Sequence, residues 1–343
     1  MKALHFYHHG GLDNLTYGDV DDPTPGPGEV IIRVRACSLN HLDLWVLRGW
    51  PGLNLPMPHI GGADIAGEIH AVGPGVTGLK EGAEVIVNPG VVTVDDEYTA
   101  RGEDSLSPGY KLFGEGMRGG FASFVAVPAK NVHPLIDGFS FVEASALLLV
   151  GLTSWRMLRH RAKLQAGETV LVIGAGGGVN SFSIQLAKAL GAEVIALTSS
   201  ADKAERATAL GAKSVINYRE TPDWSREVRR MTGGRGVEVV IDNVGAHTFA
   251  QSLNSACRGG RIVTVGNTSG PNVTFDNRLM FTKQLTLLGS TMGGAKDFAD
   301  MIAFVKSQNM KPIVDQTIAL KDGKSAYRLL EEGKQFGKIV LCP

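Results

Sequence analysis

Cysteine is scarce in this chain. Only Cys37, Cys257 and Cys342 are present, and their odd number and wide spacing favour reduced thiols in a reducing compartment over a disulfide framework. Charge of one sign is not in excess either, because 34 basic residues balance 34 acidic residues and the two signs are interspersed. This balance argues against nucleic acid or an anionic membrane surface as a partner.

Long hydrophobic runs are also missing. The longest apolar stretches, near 144–152 and 170–173, fall well short of the roughly 20 residues that a membrane span requires. The N-terminal segment MKALHFYHHGG lacks the apolar core of a signal peptide. We therefore expect a cytosolic protein without a membrane partner.

Glycine, in contrast, is abundant, with 44 residues among 343. Four of these glycines stand in one turn: Gly174, Gly176, Gly177 and Gly178. An apolar run, 170–173, precedes this turn and a helix-like stretch, 181–190, follows it. A Cβ in such a turn would hold a dinucleotide pyrophosphate away from the backbone N–H groups and from the positive end of the helix. The pattern therefore favours a phosphate cradle, although a plain strand-to-helix turn has the same appearance.

The segments that follow the turn alternate in type. Predicted strands lie at 192–197, 214–217, 237–241, 261–265 and 285–288, and predicted helices lie at 201–210, 224–231 and 248–257. This alternation is typical of a parallel sheet that is covered by helices on both faces. We therefore predict an α/β fold with a doubly wound Rossmann domain over residues 150–291.

The length of the chain favours a second domain. Residues 29–36, EVIIRVRA, alternate apolar and charged side chains as a half-buried strand does, and Gly/Pro turns separate further short strands up to about residue 87. Residues 88–120 show neither the helical nor the strand period. After a predicted helix at 142–149 and the Rossmann segment, the tail contains predicted helices at 296–306 and 324–332 and a strand at 338–341. We predict that the tail packs on the β-rich first domain, which would comprise residues 1–149 and 292–343.

Several segments together resemble the medium-chain dehydrogenase/reductase superfamily, which contains zinc alcohol dehydrogenases and zinc-free quinone oxidoreductases. They read ASALLLVGLTSW, AGETVLVIGAGGGV, IALTSSADKAERATALGA, VINYRE and FGKIVL. The resemblance implies a GroES-like first domain, a Rossmann cofactor domain, an active site between them and a small-molecule substrate. It also implies a homodimer, because relatives extend the sheet across a two-fold axis at the strand that corresponds to 285–288; tetramers remain possible.

The resemblance aligns the zinc-binding positions of the superfamily with residues that are not zinc ligands. The three catalytic ligand segments correspond to Asn40-His41-Leu42-Asp43, to Gly62-Ala63-Asp64 and to a position near Leu149. The structural zinc lobe requires four thiolates, but the whole chain has three cysteines, and the aligned residues are Thr93, Asp96, Thr99 and Ser107. We expect no metal. Spacing alone leaves open a replacement site built from His41, Asp43, His59 and Asp64.

Quinone oxidoreductases carry N-x-x-D and an aromatic residue in the first of these segments, and Asn40, Asp43 and Trp45 match that pattern. The resemblance therefore gives these three residues a catalytic role. The Asn40 amide can donate a hydrogen bond to a carbonyl oxygen as charge develops on it; a turn cap is the alternative role. Trp45 replaces a tyrosine and cannot deliver a proton, so solvent, or His41 through a water molecule, is expected to protonate the product.

No acidic residue ends the second Rossmann strand, where NAD enzymes usually carry an Asp or Glu that bonds the ribose 2′-OH. Four residues there could instead bind a 2′-phosphate: Ser199, Ser200, Lys203 and Tyr218. The alternative for Lys203 is a solvated surface lysine. We expect NADPH rather than NADH as the cofactor. Besides the four glycines, the resemblance implies these cofactor neighbours: Thr153, Val179, Asn243, Val265, Gly266, Asn267 and Lys338.

One residue departs from the glycine turn of the relatives, which commonly ends G-G-V-G. Here the turn ends Gly177-Gly178-Val179-Asn180. Asn180 could bond a phosphate, but a side chain at this position is expected to crowd the helix against the sheet. The substitution therefore puts cofactor affinity in question.

The expected function is zinc-independent hydride transfer from NADPH to a quinone or to another activated carbonyl or alkene. Two alternatives stay open. The first is an alcohol or aldehyde dehydrogenase that binds its metal through different ligands. The second is a non-catalytic protein that holds NADPH as a structural or sensing ligand.

Overall fold

The computed structural model describes residues 1–343. The chain forms two compact units: residues 1–150 with 293–343, and residues 151–292. These limits lie one residue beyond the domain limits predicted from the sequence.

Short strands dominate the first 150 residues. They are β1 (Lys2–Phe6), β2 (Thr16–Asp19), β3 (Glu29–Ser38), β4 (His59–Ile60), β5 (Asp64–Val72), β6 (Glu84–Val87), β7 (Gly90–Val92), β8 (Tyr110–Leu112), β9 (Phe124–Pro128) and β10 (Val132–Pro134). In β3, the side chains of Val30, Ile32 and Val34 are buried, whereas those of Arg33 and Arg35 are exposed. The alternation predicted for this strand is therefore confirmed over residues 32–36, whereas Ile31 is buried as well.

Two features of this segment differ from the sequence prediction. Helix α1 (His41–Arg48) follows β3, where only strands and turns were predicted. Residues 88–120, which were predicted to be irregular, contain an antiparallel ribbon of β7 and β8 and short 3-10 turns at Thr99–Arg101 and Asp104–Leu106. Helix α1 begins at an N-cap, Asn40, whose backbone N–H donates to the Asp43 carboxylate, as in one half of a capping box.

Helix α2 (Phe141–Trp155) is longer than predicted and continues into a π-helical turn at Arg156–Arg161. The continuous helix has 21 residues and is long and apolar enough to cross a membrane by length and composition alone. The expectation that no segment reaches that length is therefore wrong. However, 83% of its most apolar window is buried within the protein, which is the behaviour of a core helix.

Residues 151–292 alternate strands and helices. They form β11 (Thr169–Val172), α3 (Gly178–Ala189), β12 (Glu193–Thr198), α4 (Ala201–Ala209), β13 (Ser214–Asn217), α5 (Trp224–Met231), β14 (Val237–Ile241), α6 (Phe249–Ser255), β15 (Ala256–Thr264), α7 (Asn277–Lys283) and β16 (Thr286–Gly289). The strands are parallel in the order β13-β12-β11-β14-β15-β16. The predicted doubly wound Rossmann sheet is therefore confirmed, and its order reverses between β11 and β14.

Strand β16 is the edge of this sheet, and its Leu287 side chain is 38% exposed. An exposed apolar edge strand is a common site of pairing with another chain. The homodimer stays a prediction.

The C-terminal segment returns to the first unit. It forms α8 (Ala295–Ser307), β17 (Val314–Ala319), α9 (Gly323–Glu331) and β18 (Lys338–Cys342). Strand β18 pairs in parallel with β17, which was not predicted, and antiparallel with β3. The resulting sheet has the order β10-β6-β5-β3-β18-β17, with β9 also paired to β3, so the tail completes the sheet of the first unit.

Candidate active site

Three neighbouring strands of the first unit bring three distant polar residues together. Strand β3 lies between β5 and β18, and the register pairs Ser38 with Asp64 on one side and with Val340 on the other. Asn40 lies two residues beyond Ser38, and Lys338 lies two residues before Val340 on the antiparallel neighbour. Consequently Asn40, Asp64 and Lys338 meet at one end of the sheet.

The side chains of these residues bond to one another, and we call them the Asn40–Asp64–Lys338 cluster. Lys338 Nζ donates to Asp64 Oδ2 at 3.0 Å and to Asn40 Oδ1 at 2.5 Å, and Asn40 Nδ2 donates to Asp64 Oδ2 at 2.9 Å. The residues are 7%, 0% and 3% exposed, respectively. Because an ammonium has no acceptor and a carboxylate has no donor, these neighbours fix the orientation of the Asn40 amide.

Two further donors satisfy the buried Asp64 carboxylate. The Ser38 hydroxyl donates to Oδ2 at 2.6 Å, and the Leu149 backbone N–H, from within α2, donates to Oδ1 at 2.7 Å. A buried carboxylate is costly unless it is paired and hydrogen-bonded. Asp64 thus has four donors, and it joins β3, β5, β18 and α2 at a single point.

Asp43, predicted to be catalytic, binds backbone groups instead. Its Oδ2 accepts from Asn40 N at 2.7 Å and its Oδ1 accepts from Gly62 N at 2.9 Å. Burial raises the pKa of Asp43 to about 7, against the opposing effect of these two N–H groups. The geometry makes Asp43 a residue that positions Asn40 and the loop that leads to Asp64.

His41 and Trp45 lie on α1, directly after Asn40. Burial, followed by the positive charges of Lys338 and Arg48, lowers the pKa of His41 to about 4. At neutral pH the imidazole is therefore uncharged, and it does not hold the extra proton that an acid would deliver. The Trp45 ring is half-buried, and its centroid is 6.4 Å from that of His41.

The residues at the zinc-ligand positions do not fit zinc. Asn40, Ala63 and Leu149 align with the catalytic ligands, and the positively charged Lys338 Nζ lies against the Asn40 amide and Asp64. An ammonium repels a divalent cation, and an amide oxygen is a poor zinc ligand beside Cys, His or carboxylate. The open alternative of His41, Asp43, His59 and Asp64 is not assembled, because no group of three or more His, Cys, Asp or Glu side chains could share an ion.

The segment that aligns with the structural zinc lobe is held by hydrogen bonds. Asp96 Oδ2 accepts from the Ser107 hydroxyl at 2.6 Å, and Asp96 Oδ1 accepts from the Thr99 backbone N–H at 3.0 Å. The Thr93 hydroxyl donates to the Gly109 carbonyl at 2.7 Å. The hydrogen bonds to Asp96, chiefly the one from Ser107, lower the pKa of its carboxyl. A carboxylate and hydroxyls therefore tie the loop where the zinc branch uses four thiolates.

In the second unit, the glycine turn forms an open cradle at the end of β11. Gly174 has φ +84, a left-handed conformation that favours glycine. A Cβ added to Gly174 or Gly177 would meet no atom closer than 3.7 Å. Helix α3 begins at Gly178, with Val179 in its first turn. This open space before a helix N-terminus fits a pyrophosphate, which would bind the backbone N–H groups there.

Asn180 does not crowd the turn as the sequence predicted, because its side chain folds back onto the strand end. Asn180 Nδ2 donates to the Ile173 carbonyl at 2.6 Å and to the Gly174 carbonyl at 3.0 Å. Its Oδ1 accepts from Asn243 Nδ2 at 3.0 Å, and Asn243 Oδ1 accepts from Val265 N at 3.0 Å. This asparagine ladder links the ends of β11, β14 and β15 at the point where strand order reverses, which is where open α/β sheets bind ligands.

We expect Asn180→Ala to destabilise this unit and weaken binding of a nicotinamide cofactor. Loss of the amide leaves two carbonyls and the Asn243 amide without their partner, which costs about 1–3 kcal/mol for a buried group. Chemical denaturation and an NADPH fluorescence titration would measure both effects, with Asn254→Ala, at a half-exposed site on α6, as the control. A variant that binds NADPH more tightly would contradict the ladder and support crowding.

The residues predicted to bind a 2′-phosphate flank the end of β12. Tyr218 N donates to the Thr198 carbonyl at 3.0 Å, which brings Tyr218, 40% exposed, beside Ser199. The Ser200 hydroxyl accepts from Lys203 N at 3.3 Å and caps α4, and the Lys203 side chain is half-buried. The structure therefore brings all four predicted residues to one strand end.

The remaining predicted cofactor neighbours lie in different parts of the structure. Val265, Gly266 and Asn267 follow β15 directly, beside the asparagine ladder. Thr153 is 2% exposed, and its hydroxyl faces Met292 Sδ at 3.5 Å. Lys338 belongs to the first unit, within the cluster. Sequence reasoning missed Ser38 and treated Asp64 only as a metal candidate. The signal for Asp64 was an acidic residue at the buried start of a strand, directly before Ile65 and Ala66.

Comparison with known proteins places this architecture in a family. Residues 26–137 match the alcohol dehydrogenase GroES-like domain, and residues 178–307 match the zinc-binding dehydrogenase domain. The crystal structure of an NAD-dependent alcohol dehydrogenase is similar over the full length of both chains, with 42% sequence identity and a TM-score of 0.96.

Two curated relatives show the same extent of similarity. An NAD-dependent alcohol dehydrogenase of Sulfolobus acidocaldarius is 32% identical over 99% of each chain. A quinone oxidoreductase of Pseudomonas aeruginosa is 32% identical over 100% of this chain and 99% of its own. The chain therefore belongs to the medium-chain dehydrogenase/reductase superfamily and is an oxidoreductase of the alcohol dehydrogenase and quinone oxidoreductase kind.

Proposed function

We propose that this protein is a zinc-independent, NADPH-dependent reductase that transfers hydride to a quinone or to another activated carbonyl or alkene. The observation that carries the proposal is the Asn40–Asp64–Lys338 cluster. It includes Asn40, which aligns with a catalytic zinc ligand of the zinc branch, and its buried cation is an ammonium. A substrate that is reduced readily, such as a quinone, suits an active site that stabilises charge with hydrogen bonds rather than with a metal.

The two units would have different roles, one in binding the cofactor and the other in binding the substrate oxygen. The glycine turn and the N-terminus of α3 would hold the pyrophosphate, and the bound nicotinamide would supply the hydride. In the first unit, one Asn40 Nδ2–H bonds Asp64, and the other would donate to the substrate oxygen as negative charge develops there. Asp43 holds the backbone of Asn40, so the donor is fixed before the reaction.

The strand end at β12 supports NADPH over NADH. No carboxylate follows Thr198 until Asp202, which is exposed on the first turn of α4. Two serine hydroxyls, a phenol and an ammonium stand there, and such groups bind a phosphate dianion by charge-assisted hydrogen bonds. Two similar proteins are named as NAD-dependent. The rates with NADPH and with NADH should therefore be compared first.

A second candidate is the dehydrogenation of an alcohol, since two of the similar proteins bear that name. A panel assay separates the two reaction classes. We expect NADPH to be oxidised with a benzoquinone or an enone, and NADP⁺ not to be reduced with primary or secondary alcohols. Alcohol oxidation that appears only when zinc is added would overturn the proposal and favour the dehydrogenase. Tight NADPH binding without turnover of any substrate would indicate a binding protein.

A further inference from the structure

We infer that Lys338, together with Asn40, forms the donor pair that stabilises negative charge on the substrate oxygen in place of the metal. The inference rests on the proposed reductase function and names the groups that would stabilise the charge on the substrate oxygen. Of the three positions that align with zinc ligands, Asn40 bonds Lys338 Nζ directly, and the other two, Ala63 and Leu149, adjoin or bond Asp64, the ion-pair partner of Nζ. Asn40 Oδ1 accepts from Lys338 Nζ, Asp64 directly follows Ala63 and pairs with Nζ at 3.0 Å, and Leu149 N donates to Asp64.

Each of the two residues has a donor to spare. The Lys338 ammonium has three N–H groups, of which one donates to Asn40 Oδ1 and one to Asp64 Oδ2. The third has no acceptor within the protein. Asn40 Nδ2 has two N–H groups, and one donates to the same Asp64 oxygen. Both residues therefore keep one N–H that no protein acceptor uses, and both are anchored on the same carboxylate oxygen.

The surroundings of Asp64 keep the positive charge of Lys338 effective. If Lys338 were the sole partner of the carboxylate, the charges would largely cancel. Instead the Ser38 hydroxyl and the Leu149 N–H also bind Asp64, so that neutral groups stabilise part of its negative charge. A buried ion pair often stabilises a protein no more than apolar side chains of similar volume would. A role in function therefore explains the presence of this pair better than a role in stability.

The chemistry balances without a metal. When a substrate carbon accepts hydride, a new C–H bond forms and the π electron pair moves onto the oxygen. The substrate is reduced by two electrons while NADPH is oxidised to NADP⁺. Lys338 Nζ and Asn40 Nδ2 donate hydrogen bonds to this oxyanion, and a proton from solvent completes the hydroquinone, alcohol or enol. Preorganised donors of this kind act most strongly where charge develops in the transition state.

The test compares Lys338→Met, the double variant Asp64→Asn with Lys338→Met, and Lys338→Arg. The double variant removes both charges, so it does not leave an unpaired buried carboxylate that could unfold the protein. Lys334→Met, at a 69% exposed side chain in the same segment, is the control. The readouts are kcat with a benzoquinone, the Kd of NADPH by fluorescence, and the melting temperature, all with chelator-treated protein.

We expect the double variant to lose about 10²–10³-fold in kcat at saturating NADPH, and Lys338→Arg to recover part of that loss because it keeps a cation with N–H donors. An unchanged kcat would overturn the inference, as would a weakened Kd for NADPH with full turnover at saturation. If the parent protein itself is inactive without zinc, the proposed function fails. If the parent is active and the variants equal it, only the role of Lys338 fails.

Discussion

Asn40→Ala is expected to lower kcat for quinone reduction by about 10²-fold or more, the usual effect of removing one donor to a developing oxyanion. The Kd of NADPH should stay the same, because the glycine turn and the strand end at β12 are untouched. Stopped-flow or steady-state kinetics and a fluorescence titration would separate the two quantities. A loss confined to kcat is the signature of an interaction that is made in the transition state.

The control for Asn40→Ala is Asn131→Ala. Asn131 is also a buried asparagine of the first unit, 4% exposed, and its Nδ2 donates to the Asn88 and Gly90 carbonyls at 3.0 and 2.6 Å. Its removal should cost stability by the same mechanism, yet leave kcat unchanged. If both variants lose turnover in proportion to their loss of stability, Asn40 has only a structural role.

Lys203→Ala is expected to raise the KM for NADPH by about 10-fold to 150-fold, since a hydrogen bond to a charged group contributes about 1.5–3 kcal/mol. The KM for NADH should change little, because that coenzyme has no 2′-phosphate. Lys213→Ala is the matched control: Lys213 precedes β13 at the opposite end of the strands and pairs with Glu193 at 2.6 Å. Equal effects of Lys203→Ala on the two coenzymes would remove Lys203 from the phosphate site.

The Rossmann unit could be predicted closely from the sequence. Its strands β13 and β14 and helix α5 have the predicted limits. Strand β14, VEVVI, is fully buried and mostly apolar, as is typical of a parallel strand covered on both faces. Strand β17, with the sequence VDQTIA, escaped prediction, since its side chains are partly exposed and follow no clear period. Helix α1 was not predicted, because its start is marked by the hydrogen bond between Asn40 N and the Asp43 carboxylate rather than by a periodic pattern of apolar residues.

The site itself was only partly predictable. Motif matching selected Asn40, but its partners come from segments that are 24 and 298 residues away, and only the register of β5, β3 and β18 brings them together. Lys338 was therefore predicted as a cofactor neighbour without its bonds to Asn40 and Asp64. Asn180 was predicted to crowd the glycine turn, because sequence shows that a side chain is present but not that it folds back onto two carbonyls.

The proposed active site reduces an activated carbonyl with NADPH and without a metal. The most direct test of this activity is the rate of NADPH oxidation by chelator-treated protein with a simple benzoquinone, with NADH run in parallel and zinc added back at the end. We expect turnover before zinc is added, faster with NADPH than with NADH and unchanged by zinc. Activity that is absent after chelation and returns with zinc would contradict this expectation.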